Sequence, residues 1–311
     1  MPEFTALTLA LCAGVLLDRA LGEPRRFHPL VGFGRLASAL EARLNRGACP
    51  VISGAFAWSL AIVPLVGLIW IAQQSGGLWA WLIDACVLYL CIGARSLREH
   101  ADAVARPLCA GDLDTAREKL GWMVSRDTRA LSSAEVAAAT TESVLENGND
   151  AIFGALFWFL IGGAPAAVLF RLANTLDAMW GYRTARYTRF GRVAARADDV
   201  LGFVPARLTA ASYTLLGHTR QAWHCWHTQG RDWKSPNAGP VMAAGAGALQ
   251  VRLGGPAPYH GQMQSRPVLG AGQAADSGTP ARATALVDRS LAAWTLASLG
   301  AGLLVWGISH A

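Results

Sequence analysis

Long apolar stretches alternate with short polar ones along this chain, and the apolar stretches are too long for strands. Val51 to Ala72 runs 22 residues without a charge, and Ser290 to Ser309 runs 20. Either is long enough to cross the roughly 30 Å hydrocarbon core as a helix. Leu78 to Ala94 holds 17 residues and one acid, Asp84, while Phe4 to Leu17 is shorter and ends in Asp18-Arg19. Ile152 to Phe170 is a further uncharged run of 19, but Gly162-Gly163-Ala164-Pro165 interrupts it. Val200 to Gly217 is weaker, with Pro205 and Arg207 inside it. The pattern predicts an all-α, polytopic integral membrane protein.

The positions of the basic residues orient these spans, because Lys and Arg accumulate in cytoplasmic loops. Residues 22–50 carry five arginines, Arg25, Arg26, Arg35, Arg43 and Arg46, and residues 95–150 carry seven basic residues. The turn QQSGG at 73–77 carries none. The N-terminus and the QQSGG turn are therefore expected outside and the other two loops inside. A full crossing by 152–170 would then put the six arginines of 171–200 outside. A broken helical pair that enters and returns, with GGAP at its tip, avoids this, since non-helical backbone is tolerated at membrane depth where protein buries it. The expectation is one membrane-embedded domain over 1–311, with about four full spans, one re-entrant hairpin and cytoplasmic helices. Its polar segments, 95–150, 171–200 and 218–285, lie on the cytoplasmic side. Residues 254–283, rich in Gly, Pro, Ala and Gln, read as an irregular loop.

Composition agrees. Of 311 residues, 53% are hydrophobic and only 15% charged, with mean hydropathy +0.30. About 25% charge is usual for a soluble domain, so a disordered chain and a coiled coil are excluded. The net charge is +6 and the lysines are only Lys119 and Lys234. No nucleic-acid module is present; the basic excess fits membrane loops and anionic substrates. None of the six cysteines forms a CxxC pair, and they read as buried thiols. The MPEF start lacks a basic signal region, so the first apolar run reads as a retained anchor.

Three polar segments carry candidate chemistry. Glu142, Glu146 and Asp150 are spaced i, i+4, i+8 on a helix that begins near Ser132, where Ser132 and Glu135 offer a capping box. Such a stripe is either a solvated acidic face or a site for a divalent ion shared with phosphate, since Mg²⁺ takes oxygen ligands. The second segment packs Asn174, Asp177, Tyr182, Arg183, Arg186, Arg189 and the pair Asp198-Asp199 into a short stretch, followed by Arg207. If helical, the three arginines share one side, facing phosphates and carboxylates or anionic lipid. Arg207, within an apolar run, calls for an acidic partner or polar cavity. The third segment is Lys234-Ser235-Pro236-Asn237-Ala238-Gly239. It should bend tightly and offer backbone N–H groups and an ammonium to an anion, ahead of an alanine–glycine helix suited to close packing. His224 and His227 around Cys225 are a minor metal candidate.

Four stretches resemble the CobD/CbiB family of adenosylcobinamide-phosphate synthases: LLDRALGEPRRFHPLVGFGRL, ESVLENGNDAIFGALFWFLIGGAP, LANTLDAMWGYRTARYTRFGRVAARADDVLGFVPARLTA and SPNAGPVMAAGAGALQVRLGGPAPYHG. They run from Leu16 to Gly261. This chain has GEP where GDP is expected, and Arg183 where lysine is frequent. The resemblance implies ATP- and Mg²⁺-dependent amide ligation of aminopropanol, or its phosphate, to the free propionate of the corrinoid adenosylcobyric acid. It implies work at a bacterial inner membrane with the active side cytoplasmic, possible contact with other membrane-associated cobalamin-assembly enzymes, and no nucleic-acid partner. For that chemistry Glu142, Glu146, Asp150, Asp198 and Asp199 are metal candidates. Glu142, Glu146, Asp177 and Lys234 are catalytic candidates. Asn174, Tyr182, Arg183, Arg186, Arg189, Arg207, Ser235 and Asn237 are substrate-binding candidates. A transporter of an anionic metabolite is the rival from another class.

Overall fold

The computed structural model describes all residues except Met1, Pro2, Arg25, Gly47, Ala48, His260 and Ala311, so Arg25 of the first basic loop lies outside the described residues. The helices are α1 (Glu3–Leu21), α2 (Pro29–Leu44), α3 (Pro50–Gln73), α4 (Gly77–Cys91), α5 (Ala94–Cys109), α6 (Leu113–Leu120), α7 (Ser133–Gly148), α8 (Gly154–Trp180), α9 (Arg192–Leu216), α10 (Thr219–Gln229), α11 (Ala238–Leu249) and α12 (Thr279–Ile308). A π-turn, Asn149–Phe153, separates α7 from α8. Among the described residues, five helical runs are long and apolar enough to cross a membrane: α1, α3, α12 and the runs that contain α4 and α8. The all-α polytopic membrane architecture holds. Where the sequence reads as one domain, the contacts divide into two compact units: 1–93, 150–202 and 295–311, and then 94–149 and 203–294.

The first unit contains α1 to α4, α8 and the N-terminal part of α9. Close helix approach rests on small residues, as it must where lipid removes the hydrophobic drive for association. Gly14 leaves room for Leu88, and a side chain at Gly54 would overlap the Phe190 carbonyl. Phe33, Ala61, Ile62, Leu176, Trp180 and Phe190 form a buried cluster.

Helix α8 reverses direction. Gly162 and Gly163 have non-helical backbone, with Gly163 at φ 63° and ψ −156°, a conformation open almost only to glycine. A continuous helix would hold Gly154 and Phe170 about 24 Å apart. Instead the Phe170 ring fills the place of a Gly154 side chain, and Arg171 Nη1 donates to the Asp150 carbonyl at 3.4 Å. This is the predicted broken hairpin, with Gly162-Gly163 at its tip. Asp84 of α4 accepts from the Ala164 N–H at 3.0 Å, so it caps the returning half, and from Gln73 Nε2 at 2.5 Å.

The second unit is built on α11, all twelve of whose residues are buried. Gly247 lies against the Ala222 backbone of α10 and Gly245 against Leu145 of α7, the close packing expected of the alanine–glycine run. The capping box on α7 is complete: the Ser132 side chain accepts from the Glu135 N–H, and Glu135 accepts from the Ser132 N–H at 2.7 Å. The segment 254–283 is not irregular. Strands β1 (Val251–Gly254), β2 (Ala257–Tyr259), β3 (Gln262–Gln264), β4 (Val268–Gly270) and β5 (Gln273–Ala274) form a sheet of order β4-β1-β5 and a β2–β3 hairpin. β1 pairs antiparallel to β4, with Leu253 opposite Leu269, and parallel to β5. Strands of two to four residues are too short to show the alternation that marks a strand.

Candidate active site

In the first unit, the end of α8 and the start of α9 bring acids together. Asn174 Nδ2 donates to Asp198 Oδ1 at 3.1 Å. Burial and the charges of Asp150, Asp177 and Asp199 push the Asp198 carboxyl up to about 8. Burial raises Asp199 as well, opposed by the nearby positive charges of Arg196 and Arg183. Four of the expected residues, Asp150, Asp177, Asp198 and Asp199, are thus electrostatically linked, with Asn174 tying in one of them. Among the described residues no group of three or more His, Cys, Asp or Glu side chains is arranged as a ready metal cage. The donors are all hard oxygens, which suits Mg²⁺, an ion that binds through one or two carboxylates and keeps waters for phosphate.

The arginine segment departs from expectation. Residues 181–191 are turns rather than helix, so Arg183, Arg186 and Arg189 do not share a helical face. The excursion closes on itself, because Gly191 abuts the Trp180 carbonyl and the Trp180 and Phe190 rings meet edge to face with centroids 5.1 Å apart. Tyr182, Arg183 and Arg189 are exposed on it. Arg186 is engaged by Glu41 of α2.

In the second unit, Glu142 is buried and fully occupied. Its Oε1 accepts from the Gly254 N–H at 2.7 Å and Arg266 Nη2 at 3.2 Å; its Oε2 accepts from Arg126 Nη2 at 2.5 Å and Arg266 Nη1 at 3.1 Å. Two guanidiniums and an amide use the lone pairs a metal would need, so Glu142 as a metal ligand is corrected to an ion-paired anchor. Glu146, one turn on, is half-buried and takes no part in the ion pairs that hold Glu142. The regular spacing of the stripe ends at the π-turn that begins at Asn149, where the helical repeat changes.

The turn before α11 also differs. Ser235 Oγ accepts from the N–H groups of Asn237 at 3.3 Å and Ala238 at 3.2 Å, and the Ser235 carbonyl takes Gly239. The chain bends as expected, but its own serine occupies the N–H groups expected to face an anion. Lys234 is exposed and donates to Gln264 Oε1 at 3.2 Å. Arg207 has no acidic partner among the described residues: its Nη1 donates to Asn237 Oδ1 at 2.8 Å and the Phe203 carbonyl at 3.0 Å, and its guanidinium lies 3.6 Å from the Phe203 ring centre. On α10, His227 stacks on Trp223 and Cys225 is buried. Sequence reasoning missed Glu41, Arg126 and Arg266. Each finds its ion-pair partner more than ten residues away, beyond the reach of local spacing.

Known proteins resemble the chain over nearly its whole length. A family model described as CobD/Cbib protein matches residues 11–287. A protein of Chromobacterium violaceum named "Cobalamin biosynthesis protein CobD" is 54% identical over 310 residues, covering 97% of this chain and 99% of that one. One of the same name from Stutzerimonas stutzeri is 53% identical, covering 95% and 98%. "Cobalamin biosynthesis protein CbiB" of Salmonella typhimurium is 36% identical, covering 85% and 88%. No solved structure matches it significantly.

Proposed function

The chain belongs to the CobD/CbiB family of cobalamin biosynthesis proteins, and on that premise we propose that it is an amide-forming ligase of the bacterial inner membrane. It joins aminopropanol, or its O-phosphate, to the free propionate of adenosylcobyric acid at the cytoplasmic side. The whole-length likeness to cobalamin biosynthesis proteins is the observation that carries this reading.

A carboxylate is a poor acyl donor because its oxygen does not leave. Transfer of a phosphoryl group from ATP to that oxygen releases ADP and gives an acyl phosphate. Attack by the amine then forms the C–N bond, expels phosphate and frees a proton. Bound Mg²⁺ would supply charge neutralisation on the phosphates. Asp198 and Asp199, with Asp150, are the residues assigned to hold it, and a cation there would offset the burial and the neighbouring negative charges that together raise Asp198. Asp177 is assigned the proton released by the amine. Asn174 orients Asp198. Exposed Tyr182, Arg183 and Arg189 are assigned to the anionic groups of the substrates. Glu146 and Lys234, in the second unit, are assigned to a proton or metal and to a phosphate charge. Arg186, Arg207, Ser235 and Asn237 act by shaping the backbone that carries these groups.

The purified protein in detergent, given adenosylcobyric acid, aminopropanol phosphate and Mg·ATP, tests the reading by mass spectrometry of the corrinoid. A product heavier by the aminopropanol phosphate unit less one water, with ADP formed in step, is expected. Uptake into vesicles without ATP turnover would instead establish a transporter.

A further inference from the structure

Two cavities in the first unit meet at Pro29 and Gly32 of α2. One, of about 650 Å³, is lined by Glu23, Arg26, Phe27, His28 and Arg35. The other, of about 360 Å³, is walled by α2, α3, α4 and α8 through Leu65, Leu68, Val87, Leu90 and Val168, with Arg171 as its charged member. Pro29 and Gly32 line both, so a polar mouth continues into an apolar chamber. Among the described residues the mouth carries two exposed arginines, Arg26 and Arg35, and one acid, Glu23. His28 spends its Nδ1 on the Leu30 N–H at 3.1 Å, capping α2. Phe27 is 99% exposed and holds a left-handed backbone at φ 56°. In the chamber, Arg171 Nε is buried with no hydrogen-bond partner among the described residues, and its Nη1 reaches only the Asp150 carbonyl at 3.4 Å.

We propose that this joined groove binds one anionic phospholipid of the surrounding bilayer, its phosphate between Arg26 and Arg35 and an acyl chain in the chamber beneath. Three properties of the groove match the three kinds of group that a phospholipid presents. Cationic side chains at the mouth match the phosphate. A buried N–H donor without a partner, which is costly to leave unmade, matches an ester carbonyl. An apolar chamber walled by α2 and by three helices that lie in candidate spans, α3, α4 and α8, matches the chain. A free phosphate would satisfy the mouth alone, and a neutral lipid the chamber alone. The groove touches the aspartate cluster only where Arg171 meets the Asp150 backbone carbonyl, and the proposal stands or falls without the ligase reading.

Gly32 supplies the test, because a side chain added there meets nothing within 4 Å. Gly32→Trp should plug the junction without disturbing the helix, and Arg26→Gln/Arg35→Gln should remove the headgroup partners. Protein purified in mild detergent is analysed for retained lipid by native mass spectrometry and extraction. Wild type is expected to keep about one phospholipid per chain, with phosphatidylglycerol enriched over phosphatidylethanolamine. Each variant should lower that retention by about tenfold or more, Gly32→Trp by filling the path of the chain and the double variant by removing both cations near the anionic headgroup. Circular dichroism and gel filtration report folding; if Gly32→Trp fails them, the double arginine variant decides. In a second arm, delipidated wild type should gain thermal stability from phosphatidylglycerol but not from inorganic phosphate. Equal retention by variants and wild type, equal retention of both lipids, no retained lipid, or full stabilisation by inorganic phosphate would each overturn the proposal.

Discussion

Arg186 closes on Glu41 as a two-bonded fork, with Nε to Oε1 at 2.9 Å and Nη2 to Oε2 at 2.5 Å, across 145 positions of sequence. The same Glu41 accepts from Asn45 Nδ2 at 2.8 Å, and Asn45 also donates to the Arg186 carbonyl at 3.0 Å. The arginine-rich excursion is thereby fastened to the end of α2. The Arg186 hydrogen bonds hold the Glu41 carboxyl below its ordinary range, against the opposing effect of burial. A carboxylate lowered in the folded state stabilises above its unfolded value and loses that contribution as pH falls through the folded one. Arg186→Gln should therefore flatten the acid limb of the thermal-midpoint profile below about pH 5, while leaving the midpoint at high pH lower than wild type. Unfolding in detergent across pH checks this; an unchanged acid limb would mean the fork contributes nothing.

Glu142 and Glu146 sit one turn apart and should fail differently. Glu142 is 4% exposed, between Arg126 at 10% and Arg266 at 7%. Glu142→Gln leaves buried cations uncompensated, and the loss should be about 3–5 kcal/mol of stability, not rescued by added Mg²⁺. Glu146→Gln should leave the thermal midpoint within a few degrees of wild type and lower turnover by orders of magnitude. Denaturant titration beside the corrinoid assay separates the two.

Asp198 gives the opposite pH signature from Glu41. Its carboxyl lies at about 8 in the folded chain, against roughly 3.9 unfolded. A raised value stabilises below the unfolded pKa and is lost as pH climbs toward the folded one. Without metal, the thermal midpoint should decline from about pH 4 to about pH 8, and Asp198→Asn should remove much of that decline. Mg²⁺ bound at Asp198 would compete with the proton, so its stabilising effect should be larger at the alkaline end. A Mg²⁺ shift that is the same at both ends would count against a metal at this cluster.

The hairpin tip depends on Gly163. Its backbone is at φ 63° and ψ −156°, and an added Cβ would lie 3.1 Å from Gln73 Nε2 and 3.3 Å from Asp84 Oδ1. Gly163→Ala should cost about 1–3 kcal/mol, read as a lower thermal midpoint, whereas Gly67→Ala, where a side chain meets nothing within 4 Å, should be nearly neutral.

Reversal at the tip fixes a topology that reporters can read. A fusion after Gln74 should report from outside and one near Arg192 from the cytoplasm. An outside signal at Arg192 would make α8 a full crossing.

Hydropathy alone determined the spans, because a bilayer demands about 20 apolar residues with every backbone group satisfied. That demand is local, so α1, α3, α4 and the last helix were legible, and so was the break at Gly162-Gly163, where glycine pairs and proline undo a helix. The box at Ser132 and Glu135 was legible for the same reason: its partners are three residues apart. Tertiary structure alone decided which charges were spoken for. Glu142 read as a free member of a stripe, yet Arg126 and Arg266 reach it from 16 and 124 positions away. Arg186 read as a phosphate ligand, yet Glu41 claims it. A periodicity shows which side of a helix a carboxylate occupies, but its charge state and availability depend on which distant segment folds over that side. The strands near Gly254 and Gly270 escaped for a related reason, since each is defined by its pairing partner and is too short to carry a pattern of its own.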